Sequence, residues 1–294
     1  MTATLEKSPA KAGPTARKRP GRRWTRWIPY AILALYALTG GIGPLLIDYN
    51  PVYTSLPDRL LAPGSPVSSG ATAWLGTDGT GRDVLAQVVY GARTSVLIGL
   101  ATVVVSCVVG VAIGTLAGYF RGWPDMILAR GIDILLAFPA ILLTIVIAGA
   151  FERSVLVVVV ALSATAWISF ARVTRGVALS IRERAWVDAA RVLGVRPLAI
   201  LWRHVVPFTA GPVVALATLE FALVVLAEAG LSFLGIGLPN SAVSWGQTIA
   251  NGKQYLATAW WISAIPGVAL SLLIITIGIL GDQLTARYGR GHVR

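Results

Sequence analysis

Residues 95–119 read SVLIGLATVVVSCVVGVAIGTLAGY, a stretch without a single charged side chain. A helix needs roughly 20 apolar residues to cross a hydrocarbon layer of about 30 Å, so this stretch predicts a membrane-spanning helix. Within it Gly110, Gly114 and Gly118 recur every four residues. That spacing places them on one helix face, where another backbone can approach closely, and we predict that they form a helix-packing face.

Further apolar runs on both sides of this stretch extend the same pattern. Together they predict six spans, at 28–47, 95–119, 133–150, 155–171, 209–230 and 262–281. Of the 294 residues 55% are apolar and only 13% are charged, and the mean hydropathy is +0.72. Ordinary soluble domains carry about 25% charged residues. The composition therefore excludes a soluble domain and predicts an all-α polytopic membrane protein.

The basic residues predict the orientation of these spans. Of 25 Lys and Arg residues, twenty fall on the N-terminal tail, the even-numbered loops or the C-terminus, and five fall on the other side. Because basic residues near helix ends stay in the cytoplasm, both termini are predicted to be inside. The net charge of +12 then reflects topology and contact with anionic lipid, and no nucleic-acid partner is expected.

The span boundaries divide the chain into predicted regions. The basic tail 1–27, rich in Pro and Ala, is predicted to be disordered. The first helix follows at 28–48 and an extracytoplasmic loop at 49–94. A helical core is predicted at 95–281, with a polar cytoplasmic segment at 172–208, and a cytoplasmic tail at 282–294.

The segment 172–208 is too polar to span a membrane, yet it carries helix signals. Ser180 and Glu183 have the spacing of a capping box, which predicts a helix start at Ser180 and an end at Gly194. Pro197 suits the first turn of a second short helix, which Pro207 would close. Two interpretations remain open, an amphipathic connector lying on the membrane surface and a docking element for a soluble partner.

Two glutamates, Glu220 and Glu228, fall in the fifth predicted span. Ionisable groups are costly there and usually face a bundle interior or a water-filled cavity, so both are candidate sites. An alternative for Glu228 is a structural role, with its carboxylate bonded to the backbone amides of residues 230–232.

The sequence offers little for catalysis or for binding of metals. It has one cysteine, Cys107, and two histidines, and they do not form a cluster with metal-ligand spacing. Residues 246–254 resemble a phosphate-binding loop, but they have five residues between the glycines instead of four and glutamine where Ser or Thr must hold magnesium. We therefore expect no enzyme activity, metal or cofactor in this chain.

The polar segment also contains a recognisable motif. Residues 188–194 (DAARVLG) and 203–207 (RHVVP) resemble the EAA motif of binding-protein-dependent ABC importer permeases, with Asp188 in place of the usual glutamate. Stretches at 75–78, 81–85, 90–93, 118–120, 137–139, 231–235, 244–246 and 281–282 resemble other landmarks of the peptide/nickel branch, in particular the C-type subunit of dipeptide and oligopeptide permeases.

This resemblance implies a type I ABC importer permease fold in a bacterial or archaeal cytoplasmic membrane. It implies a heteromeric complex with a B-type permease subunit, two cytoplasmic ATPase subunits that hold ATP and Mg, and an extracytoplasmic substrate-binding protein. It further implies that the motif contacts the ATPase. The implied coupling residues are Asp188, Ala189, Ala190, Arg191, Gly194, Arg203, His204 and Pro207. Ser232 and Phe233 join Glu220 and Glu228 as gating or structural candidates.

The resemblance favours peptide as the substrate, with nickel or another small solute as the alternative within the family. A nickel path would be expected to show His or Met side chains, yet the two methionines are Met1 and Met126. A proton-coupled secondary transporter is a further alternative from another class. It would be expected to show mid-membrane titratable groups and internal repeats, and Glu220 is the one feature in its favour.

Overall fold

The computed structural model describes residues 27–47, 50, 53–239 and 241–288. Helices dominate this part of the chain, so the all-α prediction is confirmed. The helices are α1 (Ile28–Leu46), α2 (Val84–Phe120), α3 (Trp123–Leu136), α4 (Ala140–Gly149), α5 (Val155–Arg182), α6 (Ala185–Val192), α7 (Pro197–Ile200), α8 (Val206–Phe233), α9 (Trp245–Gly252) and α10 (Trp261–Tyr288). The predicted disorder of the tail 1–27 concerns residues that lie almost entirely outside the described ones.

Five of the described helical segments are long and apolar enough to cross a membrane, and the count is six if the bent pair α3–α4 forms one span. These segments overlap all six predicted runs. The span predicted at 133–150 is not one continuous helix, because the axes of α3 and α4 are bent by 84° relative to each other. Pro139 lacks an amide hydrogen and disfavours helical geometry at Phe138, so the chain breaks there.

The second span begins earlier than its apolar run. It starts at Val84 rather than at 95, because Asp83 caps the helix by accepting a hydrogen bond from the Leu85 amide at 2.7 Å. Gln87 in the first turns is buried and bonds to Asp78 at 2.8 Å. Polar residues satisfied by the neighbouring loop thus extend the helix beyond its hydrophobic stretch. Similarly, α10 continues to Tyr288, beyond the predicted boundary at 281.

The helix starts and stops predicted for the polar segment are partly wrong. Ser180 lies inside α5, which runs to Arg182, and Arg184 is the N-cap of α6. Pro197 does begin α7. Pro207 does not close it, because a π-helical turn, Leu201–Val205, joins α7 to α8. The π-helical turn is wider than an α-helical turn, and it is followed by Pro207 in the first turn of α8. A proline is tolerated at that position because fewer amide groups need partners in the first turn of a helix.

The core is formed by α2, α5, α8 and α10, with α1 against α2 and α10. Tyr36 of α1 donates a hydrogen bond to the carbonyl of Ala269 at 2.7 Å. The fully buried Trp245 of α9 donates to the carbonyl of Val88 at 2.9 Å. These contacts hold α9, which is too short to span, against the ends of the long helices that are predicted to be extracytoplasmic.

The loop before α2 is a small folded unit rather than an irregular linker. Strands β1 (Ser65–Pro66) and β2 (Thr72–Ala73) pair antiparallel. The Asp58 carboxylate accepts hydrogen bonds from the Ser55 hydroxyl at 2.6 Å and from the Ser68 amide at 2.8 Å. Asp78 pairs with Arg82 at 2.8 Å. Two buried carboxylates therefore organise the loop.

Acid is expected to open this loop. Hydrogen bonds from Ser55 and Ser68 hold the pKa of Asp58 below its ordinary value of 3.8. Burial raises the pKa of Asp78, but Arg82 and the hydrogen bonds from Arg82 and Thr80 outweigh it and lower the pKa overall. Since both pKa values are lower in the folded loop, their stabilisation is complete above about pH 4 and is lost as the pH falls through the folded values.

A cysteine at position 73 provides the measurement, because Ala73 is 2% exposed. In a Cys107→Ala background we expect Ala73→Cys to resist dithiodipyridine at pH 7 and to react once the pH falls below about 4. Adding Asp58→Asn should make the thiol reactive at neutral pH. Protection that persists to pH 2 would contradict the role given to the two carboxylates.

Candidate functional site

The α6 helix, at the end of the molecule predicted to face the cytoplasm, carries four of the eight implied coupling residues, Asp188, Ala189, Ala190 and Arg191. One of its faces is anchored, because Val187 is fully buried. Beneath it lies a buried cluster that we name the joint cluster. Its members come from α2, α5, α6, α7 and the π-helical turn, and they are Tyr119, Ala178, Ile181, Val187, Ile200, Leu201 and Val205.

The joint cluster ties α6 to two long spans at once. Ala178 and Ile181 belong to α5, while Ile200, Leu201 and Val205 lead directly into α8. Every one of these side chains is at most 3% exposed. Because packed interiors have few voids and transmit displacement, a movement of α6 must move the ends of α5 and α8.

Aromatic and charged contacts brace the rim of the joint. The Trp186 ring packs edge-on against the His204 ring, with 5.3 Å between the ring centroids. It stacks on the Phe208 ring, with 6.5 Å between the centroids. Arg182 donates a hydrogen bond to the Tyr119 carbonyl at 2.6 Å, and the Arg191 guanidinium lies 5.5 Å from the Tyr119 ring centroid. His204 is thereby placed as a packing partner of α6.

The opposite face of α6 is open. Asp188 is exposed and pairs with Arg191 at 3.0 Å, and Ala189 is exposed beside it. Val192 and Leu193 are 88% and 82% exposed. We name Ala189, Val192 and Leu193 the apolar tip. Two large, highly exposed aliphatic side chains at a helix end are typical of a surface that binds a partner.

The two alanines of the motif have different environments. Ala189 faces outward, whereas Ala190 is partly buried against the joint cluster. Ala190 therefore contributes to packing within the chain, and Ala189 is the more exposed of the two alanines. The helical period places adjacent residues about 100° apart, and the sequence could not show which one points inward.

Gly194 ends the α6 segment with a left-handed turn. Its φ is +78° and an added Cβ would meet nothing within 4 Å. The Val195 amide donates to the carbonyl of Ala190 at 3.1 Å, as expected after a glycine helix stop. Gly194 is thus required by backbone conformation and not by crowding. Arg203 is exposed on the π-helical turn, and Pro207 follows in the first turn of α8.

Sequence reasoning assigned no role to Trp186, Tyr119 or Phe208, or to the exposed side chains of Val192 and Leu193. Trp186 carried a signal, since an aromatic residue in a short polar helix indicates packing on a neighbour. The exposure of Val192 and Leu193 carried none, because apolar residues in a helix usually face the core.

Glu228 lies in a separate buried polar cluster near the end of α8 that is predicted to be extracytoplasmic. It is fully buried, and its carboxylate accepts hydrogen bonds from Ser95 at 2.9 Å and Ser232 at 2.8 Å. The Ser244 hydroxyl, which caps α9, is a third partner. The prediction of backbone amide partners is wrong. Three hydroxyl groups from α2, α8 and the start of α9 hold this carboxylate.

The remaining candidates lie elsewhere on the helices. Phe233 is 41% exposed, with the Lys253 ammonium 5.6 Å from its ring centroid. Gly110, Gly114 and Gly118 face α5, and a Cβ added at any of them would collide with the α5 backbone. Glu220 is 7% exposed and lines a groove beside α5. Among the described residues no group of His, Cys, Asp and Glu could hold a metal ion.

Comparison with known proteins identifies the class to which this architecture belongs. Residues 110–290 match the family described as "Binding-protein-dependent transport system inner membrane component". The chain belongs to this family, and the family resemblance seen in its motifs is confirmed.

Individual relatives cover most of the chain. A putative peptide transport system permease protein of Brucella suis is 39% identical over 92% of this chain and 88% of its own length. The dipeptide transport system permease protein DppC of Alkalihalophilus pseudofirmus is 32% identical over 86% and 81%. The oligopeptide transport system permease protein OppC of Mycobacterium bovis is 34% identical over 86% of each chain.

A solved structure shares the fold. A chain from an inward-facing conformation of the MetNI methionine ABC transporter superposes with a TM-score of 0.56. The two sequences are 20% identical over 69% of this chain and 97% of that one. At this identity the likeness supports the fold, and it confirms the prediction of an ABC importer permease architecture.

Proposed function

We propose that this chain is the transmembrane permease subunit of an ATP-driven, binding-protein-dependent importer of dipeptides or oligopeptides in a bacterial or archaeal cytoplasmic membrane. The three relatives described above, which are named as peptide, dipeptide and oligopeptide permeases, support the substrate class. The nickel alternative finds little support, because His204 packs on Trp186 at the joint and is not among the residues lining the described grooves.

The observation that carries the proposal is the two-sided construction of α6. Its inner face is locked to α5 and α8 through the joint cluster. The apolar tip on its outer face is exposed. A partner that grips the tip can therefore move two spans as one unit, which is the mechanical requirement for converting an external motion into alternating access.

The partner we assign to the tip is an ABC ATPase subunit. This chain has no nucleotide loop of its own, so ATP and Mg are held by two ATPase subunits of the complex. A B-type permease subunit completes the membrane part, and an extracytoplasmic binding protein delivers the peptide. Exposed aliphatic side chains bounded by the Asp188–Arg191 pair match the apolar centre and polar rim of ordinary protein interfaces.

Substitution of the tip tests this assignment. The double variant Val192→Glu, Leu193→Glu should insert in the membrane normally, because both side chains contact solvent. It should lose co-purification with the ATPase and show uptake reduced tenfold or more, since buried unpaired charges strongly weaken an interface. The measurements are pull-down of the ATPase and ATP-dependent peptide uptake in proteoliposomes of the whole complex.

The matched control is Val192→Leu, Leu193→Ile, which keeps the apolar character. It should retain both ATPase binding and uptake. Undiminished ATPase binding in the glutamate variant would refute docking at α6.

A further inference from the structure

A groove of about 760 Å³ runs between the bent pair α3–α4, α5 and α8. Its α5 wall carries Thr165, Ser169 and Arg172, which are spaced by four and three residues and so lie on one helix face. Polar side chains repeated along one face of a membrane helix are expensive against lipid. The groove therefore has a polar stripe along one wall.

The opposite wall places a carboxylate against this stripe. Glu220 lies near the middle of α8 and is 7% exposed, and its carboxylate lies beside the Ser169 side chain. Arg172 lies about one turn further along α5 toward the predicted cytoplasmic end. Among the described residues neither Glu220 nor Arg172 takes part in an ion pair. The groove thus offers one negative and one positive group that are not neutralised by each other.

The break in the third span independently marks the groove as wet. Leu136 and Ala140 line the groove on either side of the break, and residues 137–139 between them are not helical. Within a bilayer, irregular backbone is tolerated only where it is buried in protein or lines a water-filled cavity. Broken helices also mark substrate sites in other transporter folds.

We propose that this groove is the chain's share of the translocation path, where Glu220 accepts the α-ammonium of a short peptide and Arg172 binds its α-carboxylate. The proposal rests on the function proposed above. The two termini are the charges that all unmodified peptides share, so contacts to them are independent of side chains. A path with these contacts would transport peptides of many sequences, and it would still require a peptide with both a charged α-ammonium and a charged α-carboxylate.

Accessibility tests whether the groove is wet and negatively charged. The probe is Thr165→Cys in a Cys107→Ala background, in proteoliposomes of the whole complex, treated with cationic and anionic methanethiosulfonate reagents. We expect the thiol to react, and the cationic reagent to be favoured severalfold. Adding Glu220→Gln should remove most of that preference. A thiol that is unreactive with and without ATP, or a preference unchanged by Glu220→Gln, overturns the proposal.

Uptake of trialanine tests the peptide contact. Glu220→Gln should lower ATP-driven uptake about tenfold, the scale of one charge-assisted hydrogen bond. Stimulation of ATP hydrolysis by the peptide-loaded binding protein should persist. The matched control, Glu152→Gln, alters an exposed glutamate in the turn between α4 and α5 and should transport normally.

The outcomes separate the two proposals. Uptake in Glu220→Gln within twofold of the unaltered complex overturns the assignment of the groove and leaves the proposed function standing. A drop shared equally by Glu152→Gln overturns it as well. Absence of trialanine uptake by the unaltered complex, under conditions where ATP is hydrolysed, overturns the proposed peptide function and with it the peptide contact.

Discussion

Replacement of Gly114 by valine is expected to prevent the central helices from packing. A side chain at this position would overlap the Ala171 carbonyl and the Thr174 hydroxyl of α5. The obstacle is backbone, which cannot rotate away as a flexible side chain can. The cost should be about 4 kcal/mol or more, the range of severe overpacking.

The isolated chain in mild detergent is sufficient for this measurement. Gly114→Val should elute as aggregate in size-exclusion chromatography, or unfold well below the unaltered protein on heating. Gly131→Val is the matched control, because a Cβ on Gly131 of α3 meets nothing within 4 Å. If both variants behave alike, close contact between α2 and α5 is not what the glycine at 114 provides.

Removal of the Glu228 carboxylate should have the second large effect. Glu228→Ala leaves the hydroxyls of Ser95 and Ser232 in a fully buried site without their acceptor. It also leaves a cavity between α2, α8 and the start of α9. Unsatisfied polar groups and lost packing each cost a few kcal/mol, so we expect a loss of about 3 kcal/mol or more.

Glu228→Gln distinguishes a structural role from proton transport. The amide keeps the shape and one acceptor, so thermal stability in detergent should fall much less than in Glu228→Ala. ATP-driven uptake should also survive, including in the presence of an uncoupler, because energy enters through the ATPase. Uptake that ceases in the glutamine variant despite normal stability would show that the ionisable group itself is needed.

Hydropathy located the spans because a charged residue is costly in lipid at every position along a span. A span can therefore be recognised from its own residues, without knowledge of tertiary contacts. Hydropathy failed to predict helix ends and bends that are determined by a tertiary contact or by a single residue. Pro139 bends the third span although the run around it is continuously apolar. The early start of α2 depends on Gln87, which donates to Asp78 in the preceding loop and accepts a hydrogen bond from Thr248 of α9, 161 residues away in the chain.

The motif located the α6 segment for a similar reason, since residue types at fixed spacing are visible in one dimension. The directions in which the side chains of α6 point were not visible in the sequence. That Ala190 packs inward and Val192 points outward depends on how α6 lies against α2, α7 and the π-helical turn. The contact of Glu228 with Ser95 was hidden for the same reason, because Ser95 is 133 residues away in the chain, whereas Ser232 is only four residues away.

The exposed tip of α6 has a consequence for the cell's handling of this subunit. If an ATPase subunit docks there as proposed, a copy made in excess of that partner keeps Val192 and Leu193 exposed, and exposed aliphatic surface is what chaperones and proteases recognise. Assembly would hide the same two side chains. The apolar tip would then also make unassembled copies recognisable. Copies in excess of the partner would be degraded, and the abundance of the membrane subunit would follow that of its cytoplasmic partner.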